Sequence, residues 1–171
     1  MKTIGDLNAL LADFKKVVAL AGVSLPPASL SFEALPAPHR PPSALPKGKA
    51  AVYVFIRQGV CLKVGKVGSK SQARFTSQHY SPASSNSNLA KSLIAGQAKI
   101  GVSGVTEANV GAWIKTNVDR VNFLLNLECG IPVLSLLESF LQCRLRPVFE
   151  GFESQRWKHV AEPIIPPDAA R

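Results

Sequence analysis

The chain has 171 residues, 46% of them hydrophobic, with Lys and Arg at 20 against Asp and Glu at 11 for a net charge of +9. That balance excludes a disordered basic tail and fits one folded domain with extensions, large enough to bury a core and charged to meet an anion, nucleic acid before membrane surface. Cys61, Cys129 and Cys143 stand far apart in apolar runs, so they imply neither a disulfide framework nor a zinc site and read as buried hydrophobes of a reducing, cytoplasmic compartment.

Ile4, Leu7, Leu11, Phe14, Val18 and Ala21 recur at steps of three and four, which predicts an amphipathic helix over 4–21 that packs on the main domain or on a second copy. Residues 1–23 form this helical extension. The apolar stretch KKVVALAGV is too short for a membrane span, and Asp6 and Asp13 precede it where a secretory signal is basic. Residues 24–49, LPPASLSFEALPAPHRPPSALPKG and its flanks, are Pro-rich and predict an extended strap rather than a helix or an interior strand.

AVYVFIRQGVCLKVG, residues 51–65, predicts a β-hairpin with a three-residue loop, Arg57-Gln58-Gly59. That register opposes Ile56 with Val60, Val54 with Leu62, Val52 with Val64 and Tyr53 with Lys63. One face is then all apolar and seals a core, and the other carries Tyr53, Phe55, Cys61 and Lys63. Taken alone, Lys63 reads as an edge lysine on a solvated face.

Ser69 or Ser71 caps a short helix carrying Arg74. A low-complexity loop, SPASSNSN, leads to a helix near 88–98, and Thr106 with Asn109 opens another through Trp113 and Ile114. RVNFLLNLEC, 120–129, predicts a buried strand. Pro132 starts a helix that Pro147 ends, and the tail 153–171 contains Trp157 and His159. The expected class is α+β, with a three-stranded antiparallel sheet, the hairpin plus one later strand, flanked by helices.

Glu138 stands in the most apolar helix, beside the stripe of Leu134, Leu137, Leu141 and Leu145. A glutamate there is paired or binds a metal. A salt bridge to an arginine at the domain edge is one reading, and a metal ligand is the other. A lone helical arginine such as Arg74 ordinarily faces solvent.

Taken in order, a strand with Ala51-Val52-Tyr53, a second with Lys63-Val64-Gly65, a helix with Arg74 and His79 and a later helix with Glu138 resemble the GIY-YIG nuclease family. The likeness spans 50–152 and is specific as an ordered set, not by any one motif. Ala51 replaces the glycine that usually opens the first motif, and Lys63 replaces the tyrosine that usually opens the second, as in some restriction endonucleases of the family. RPVFEGF lacks the asparagine often found after the glutamate helix.

The resemblance implies a metal-dependent endonuclease, restriction-type on double-stranded DNA. Tyr53 is then the general base, Lys63 an active-site cation facing it, and Arg74 the phosphate clamp. His79 orients phosphate or assists proton transfer. Glu138 holds a single Mg²⁺ or Mn²⁺ per site, which argues against a two-metal mechanism. Lys66, Lys70, Lys91, Lys99 and Arg144 follow the DNA backbone. A homodimer joined through the N-terminal helix or strap suits a nuclease that cuts both strands. Nucleases of mobile-element, repair or toxin type remain alternatives, as does a non-catalytic nucleic-acid-binding module with the same fold.

Overall fold

A computed structural model describes residues 6–85 and 87–149. Ile4 of the N-terminal stripe, the end of RPVFEGF and the tail 153–171 lie outside the described residues. Four antiparallel strands, β1 (Leu30–Leu35), β2 (Lys49–Arg57), β3 (Val60–Val67) and β4 (Asp119–Asn126), lie in the order β1-β4-β2-β3. Five helices complete the α+β fold: α1 (Leu7–Leu20), α2 (Gln72–Thr76), α3 (Leu89–Gly96), α4 (Val110–Asn117) and α5 (Gly130–Leu145).

The sheet is covered on both faces. Val52, Val54, Ile56, Cys61, Val64, Val121, Phe123 and Leu125 meet α1 and α5, with Phe14 against Phe140 at 5.5 Å between ring centroids. Ala51, Tyr53, Phe55, Leu62 and Val67 meet α2, α3 and α4 and the 3₁₀ turn Gln78–Tyr80 between α2 and α3. The face expected to be solvated is therefore a second core. No helix among the described residues is long and apolar enough to cross a membrane.

The N-terminal helix packs on the main domain. Its buried residues Leu7, Leu10, Phe14 and Val18 join the core that α5 seals, and Arg144 reaches Asp13 at 3.2 Å. Asp6 starts the helix by accepting a hydrogen bond from the Asn8 amide at 2.9 Å.

The Pro-rich segment departs from expectation, because six residues between Pro27 and Pro36 form β1 and pair with β4 from Leu30↔Leu125 to Leu35↔Arg120. The sheet has four strands where three were expected. Proline bars an interior strand, and β1 lies at the edge, where one row of backbone groups needs no partner. The remainder of the strap crosses the α2–α4 side: the His39 amide donates to the Lys115 carbonyl at 2.9 Å, and the Ala37 amide to Asp119 at 2.7 Å.

The hairpin register also differs. Gln58 and Gly59 have φ of 52° and 85°, the pair of positive values that a two-residue turn of the hairpin-favoured kind needs. Arg57 therefore pairs with Val60 and Ile56 with Cys61, and a bulge then shifts Phe55 onto Lys63, Val54 onto Val64, Tyr53 onto Gly65 and Val52 onto Lys66. Near the turn a slip of one residue exchanges faces, so Cys61 enters the α1–α5 core and Leu62 the other. Beyond the bulge the slip is two, faces are kept, and Lys63 opposes Phe55 instead of Tyr53.

Tyr53 lies across Gly65. A Cβ on Gly65 would stand 2.4 Å from the Tyr53 hydroxyl and 2.7 Å from its ring carbon Cζ, and Tyr53 is fully buried with no room to retreat. Gly65→Ala is expected to cost about 1–3 kcal/mol in urea unfolding through overpacking. Gly68→Ala is the control, since a Cβ there meets nothing within 4 Å. Equal stability of the two variants would show that Tyr53 does not depend on the gap.

Candidate active site

The site is built along β3, an outer strand, where Gly65 leaves the sheet without a side chain. Tyr53 reaches over Gly65 from the α2–α4 face. From the other face Lys66, the next residue, extends to α5, where its Nζ meets Glu138 Oε2 at 2.8 Å and Ser135 Oγ at 3.0 Å.

Ser71 precedes α2, and that short helix turns Arg74 back toward the sheet, so that its Nε donates to the Tyr53 hydroxyl at 3.0 Å. Arg74 is otherwise exposed, which leaves the outer edge of the guanidinium open to solvent. The 3₁₀ turn follows and seats His79 against Tyr53, with ring centroids 4.6 Å apart. Arg74 and His79 thus sit on two consecutive elements instead of one helix.

Three predicted residues, Tyr53, Arg74 and Glu138, share one electrostatic environment. Burial pushes the Tyr53 phenol above its usual range, the Arg74 charge and hydrogen bond pull it back, and the Glu138 charge pushes it up again. Arg74 is raised, first by the charge of the Tyr53 oxygen and further by Glu138. Glu138 is therefore within reach of both. Its direct partner is a lysine, where the salt-bridge reading named an arginine.

His79 is 1% exposed. Its Nδ1 accepts from the Leu89 amide at the start of α3 at 3.2 Å, which places the proton on Nε2. Nε2 is buried with no hydrogen-bond partner among the described residues. Burial lowers His79 well below 6.5, helped by the charges of Lys63, Arg120 and Arg74. Burial and these charges favour the neutral ring, with its N–H at Nε2.

Lys63 is 4% exposed and opposes Phe55. Its Nζ lies 3.4 Å from Ser87 Oγ and 3.5 Å from the Phe149 carbonyl. The segment that leaves α5 covers this end of β3: the Val148 and Phe149 amides donate to the Cys61 and Leu62 carbonyls at 3.0 and 2.8 Å. Lys63 is thus a buried cation beside His79, and Lys66 is the lysine that meets Glu138.

The residues expected to follow DNA do not form one tract. Lys70 is exposed in the turn before α2 and Lys91 on α3, both on the Tyr53 side, with Lys99 in the turn after α3. Arg144 lies on α5, across the sheet, bound to Asp13. Lys66 is engaged with Glu138.

Sequence reading passed over Arg120, Asn122 and Tyr80. Arg120 is fully buried and donates to Asn122 Oδ1, the Phe75 carbonyl and the Tyr80 hydroxyl. Asn122 donates to Glu33 Oε2 at 3.0 Å. Alternation within RVNFLLN supplied the signal, since Arg120, Asn122 and Leu124 share a face opposite Val121, Phe123 and Leu125.

Among the described residues, no group of three or more His, Cys, Asp or Glu forms a metal cluster. A single carboxylate still suits a hard cation whose shell is completed by water and phosphate. Glu138 supplies one carboxylate with a side chain 19% exposed, and the Lys66 ammonium now on Oε2 would have to share or yield that oxygen to an incoming cation. Comparison with family models, curated proteins and solved structures returned no match.

Both histidines among the described residues are lowered by burial, His39 as well as His79. Below 6.5 the unfolded chain takes up protons that the folded chain refuses, so stability is expected to fall as pH drops from 7 toward 5. His79→Asn keeps an acceptor for the Leu89 amide and should flatten that dependence in urea titrations at several pH values. An unchanged slope would mean that His79 is not held neutral.

Proposed function

We propose that the protein is a metal-dependent endonuclease of GIY-YIG type that hydrolyses DNA phosphodiester bonds, restriction-type on duplex DNA. The observation that carries the reading is that Arg74 bonds Tyr53 over Gly65 while Lys66, the next residue, holds Glu138, whose charge reaches both Tyr53 and Arg74, four residues from four separate elements. The order of elements supports it as well: a hairpin, helices carrying arginine and histidine, a third strand beside the first strand of the hairpin, then the glutamate helix.

Tyr53 is the general base in this reading. A phenol has a reference pKa near 10, so it needs neighbouring positive charge to accept a proton at neutral pH. Arg74 supplies a charge and a hydrogen bond at the reacting oxygen, and its outer nitrogens are free to clamp a phosphate. His79 contributes a neutral N–H. Glu138 would hold Mg²⁺ or Mn²⁺, one ion per site, and Lys66 keeps that carboxylate oriented toward β3. The bound ion would neutralise phosphate, polarise water and offset the carboxylate charge that opposes ionisation of Tyr53.

The rival reading is a nucleic-acid-binding module without catalysis, and the Lys66–Glu138 pair favours it, because an ion pair holding α5 to β3 has a structural use of its own. DNA as partner belongs to both readings, and a homodimer that cuts both strands belongs to the first. The buried stripe of α1 is not available for such a dimer, since it packs on the chain's own α5.

Supercoiled plasmid separates the readings. Nicking and linearisation are expected with Mg²⁺ and not with EDTA. Tyr53→Phe should slow cleavage by about 10²–10⁴-fold, the range for a lost general base, and Glu138→Gln should abolish metal-dependent cleavage, both with DNA binding retained in gel shifts. Binding without nicking in any divalent metal would establish the rival.

A further inference from the structure

Arg120 is the largest fully buried side chain of the described chain, and no acid among the described residues forms a salt bridge with it. Taking a guanidinium out of water costs several kcal/mol unless its donors are met, and a well-packed apolar residue of similar volume often serves stability as well or better. Stability alone therefore gives no reason for an arginine here. Its contacts suggest another.

Nε donates to Asn122 Oδ1 at 2.8 Å, Nη2 to the Phe75 carbonyl at 2.6 Å and Nη1 to the Tyr80 hydroxyl at 3.3 Å. The guanidinium carbon lies 4.8, 5.3 and 5.7 Å from the ring centroids of Phe75, Phe55 and Tyr53, so its charge rests against aromatic faces. Phe75 is the neighbour of Arg74 in the chain, and Tyr80 is the neighbour of His79. One planar fork thus ties α2 and the 3₁₀ turn to β4, next to the strand that carries Tyr53.

We propose that Arg120 is a positioning residue of the Tyr53 site, fixing the elements that bring Arg74 and His79 onto the phenol and placing a buried positive charge behind its ring. The inference rests on Tyr53 as the base and assigns a role to a residue that does not meet the phosphate. The charged and titratable groups facing Tyr53 are Arg74 from α2, His79 from the 3₁₀ turn, Arg120 from β4 and Glu138 from α5. Of these, Arg120 and Arg74 favour phenolate, and Glu138 opposes it.

The test uses full-length protein with 3,5-difluorotyrosine at position 53, whose phenol titrates near neutrality and is followed by ¹⁹F NMR. Arg120→Met is expected to raise the midpoint by about one pH unit, as loss of a nearby cation does. Arg120→Gln, which keeps a donor without the charge, should do the same, and it stands in if the methionine variant does not fold. Arg120→Lys keeps the charge but not the fork, so its midpoint should stay near wild type. With unmodified Tyr53, Arg120→Lys should lower kcat for plasmid cleavage ~10- to 100-fold through misplacement, with little change in KM.

Folded Met or Gln variants with the wild-type midpoint overturn the proposal, even if their melting temperatures fall, because that pattern belongs to a structural residue. A wild-type protein that never cleaves DNA would sink the nuclease reading and leave the ¹⁹F midpoints to decide Arg120 by themselves.

Discussion

The bulge between Phe55 and Ile56 in the first hairpin decides where the polar side chains of the sheet go. Without it, the two-residue turn would set Tyr53 against Val64, whose side chain would compete for the space the phenol now fills. With it, the extra residue, Leu62, drops into the Tyr53-side core, and Gly65 comes opposite Tyr53. Bulges re-aim side chains in this way and favour outer strands. Here three later features follow from one inserted residue: the phenol lies over bare backbone, Lys66 falls on the opposite face where α5 waits, and Lys63 is left beside Phe55.

Covering both faces turns that register into an electrostatic problem. One face meets α1 and α5 through an apolar core, with the Lys66–Glu138 pair as its polar contact with α5. The other must bury whatever the pleat places there, and pairing across the four strands gives two rows. Glu33, Asn122, Tyr53 and Gly65 form one, and Leu35, Arg120, Phe55 and Lys63 the other. Two cations flank Phe55, and the charge of Arg120 is met by a carbonyl, a hydroxyl and ring faces. Such burial is costly as packing, and it sets a positive charge beside Tyr53 and Tyr80. The neutrality of His79 is another result of the same field, since Lys63, Arg120 and Arg74 each oppose its protonation.

Much of this was legible in the sequence, and the failures share a cause. Helices α1, α3, α4 and α5 and strand β4 lie within a few residues of where periodicity and capping residues put them, because those signals are local. The turn was read as three residues because Gln58 lacks the preference for positive φ that asparagine has, and every opposed pair in the hairpin shifted as a result. β1 was hidden among prolines, where only its edge position makes a strand tolerable. At the candidate site, Tyr53, Arg74 and Glu138 were picked out by their order along the chain, and the structure bonds Arg74 to Tyr53 and Glu138 to Lys66. Lys63 was assigned the place beside Tyr53 from a register that the bulge changes. Arg120 was passed over because an arginine at the start of a strand looks like a solvated end, and only β1, lying outside β4, makes β4 an interior strand.

The two faces of the sheet communicate where the sheet is thinnest. Glu138 belongs to a helix on one side of the sheet and Tyr53 to the core of the other, where Gly65 leaves the phenol its space. The carboxylate charge still opposes ionisation of the phenol, while Arg74 favours it. The phenol is thus balanced between an acid it does not touch and a cation that it does. Anything that neutralises Glu138 shifts the balance toward phenolate, and Lys66, bound to the same carboxylate, already does so in part. In the proposed nuclease reading an incoming phosphate would act in the opposite direction, drawing on Arg74 and weakening the hydrogen bond that steadies a phenolate. In that reading a counter-charge at Glu138 would have to outweigh the phosphate's pull on Arg74, and without it Tyr53 would stay a protonated phenol.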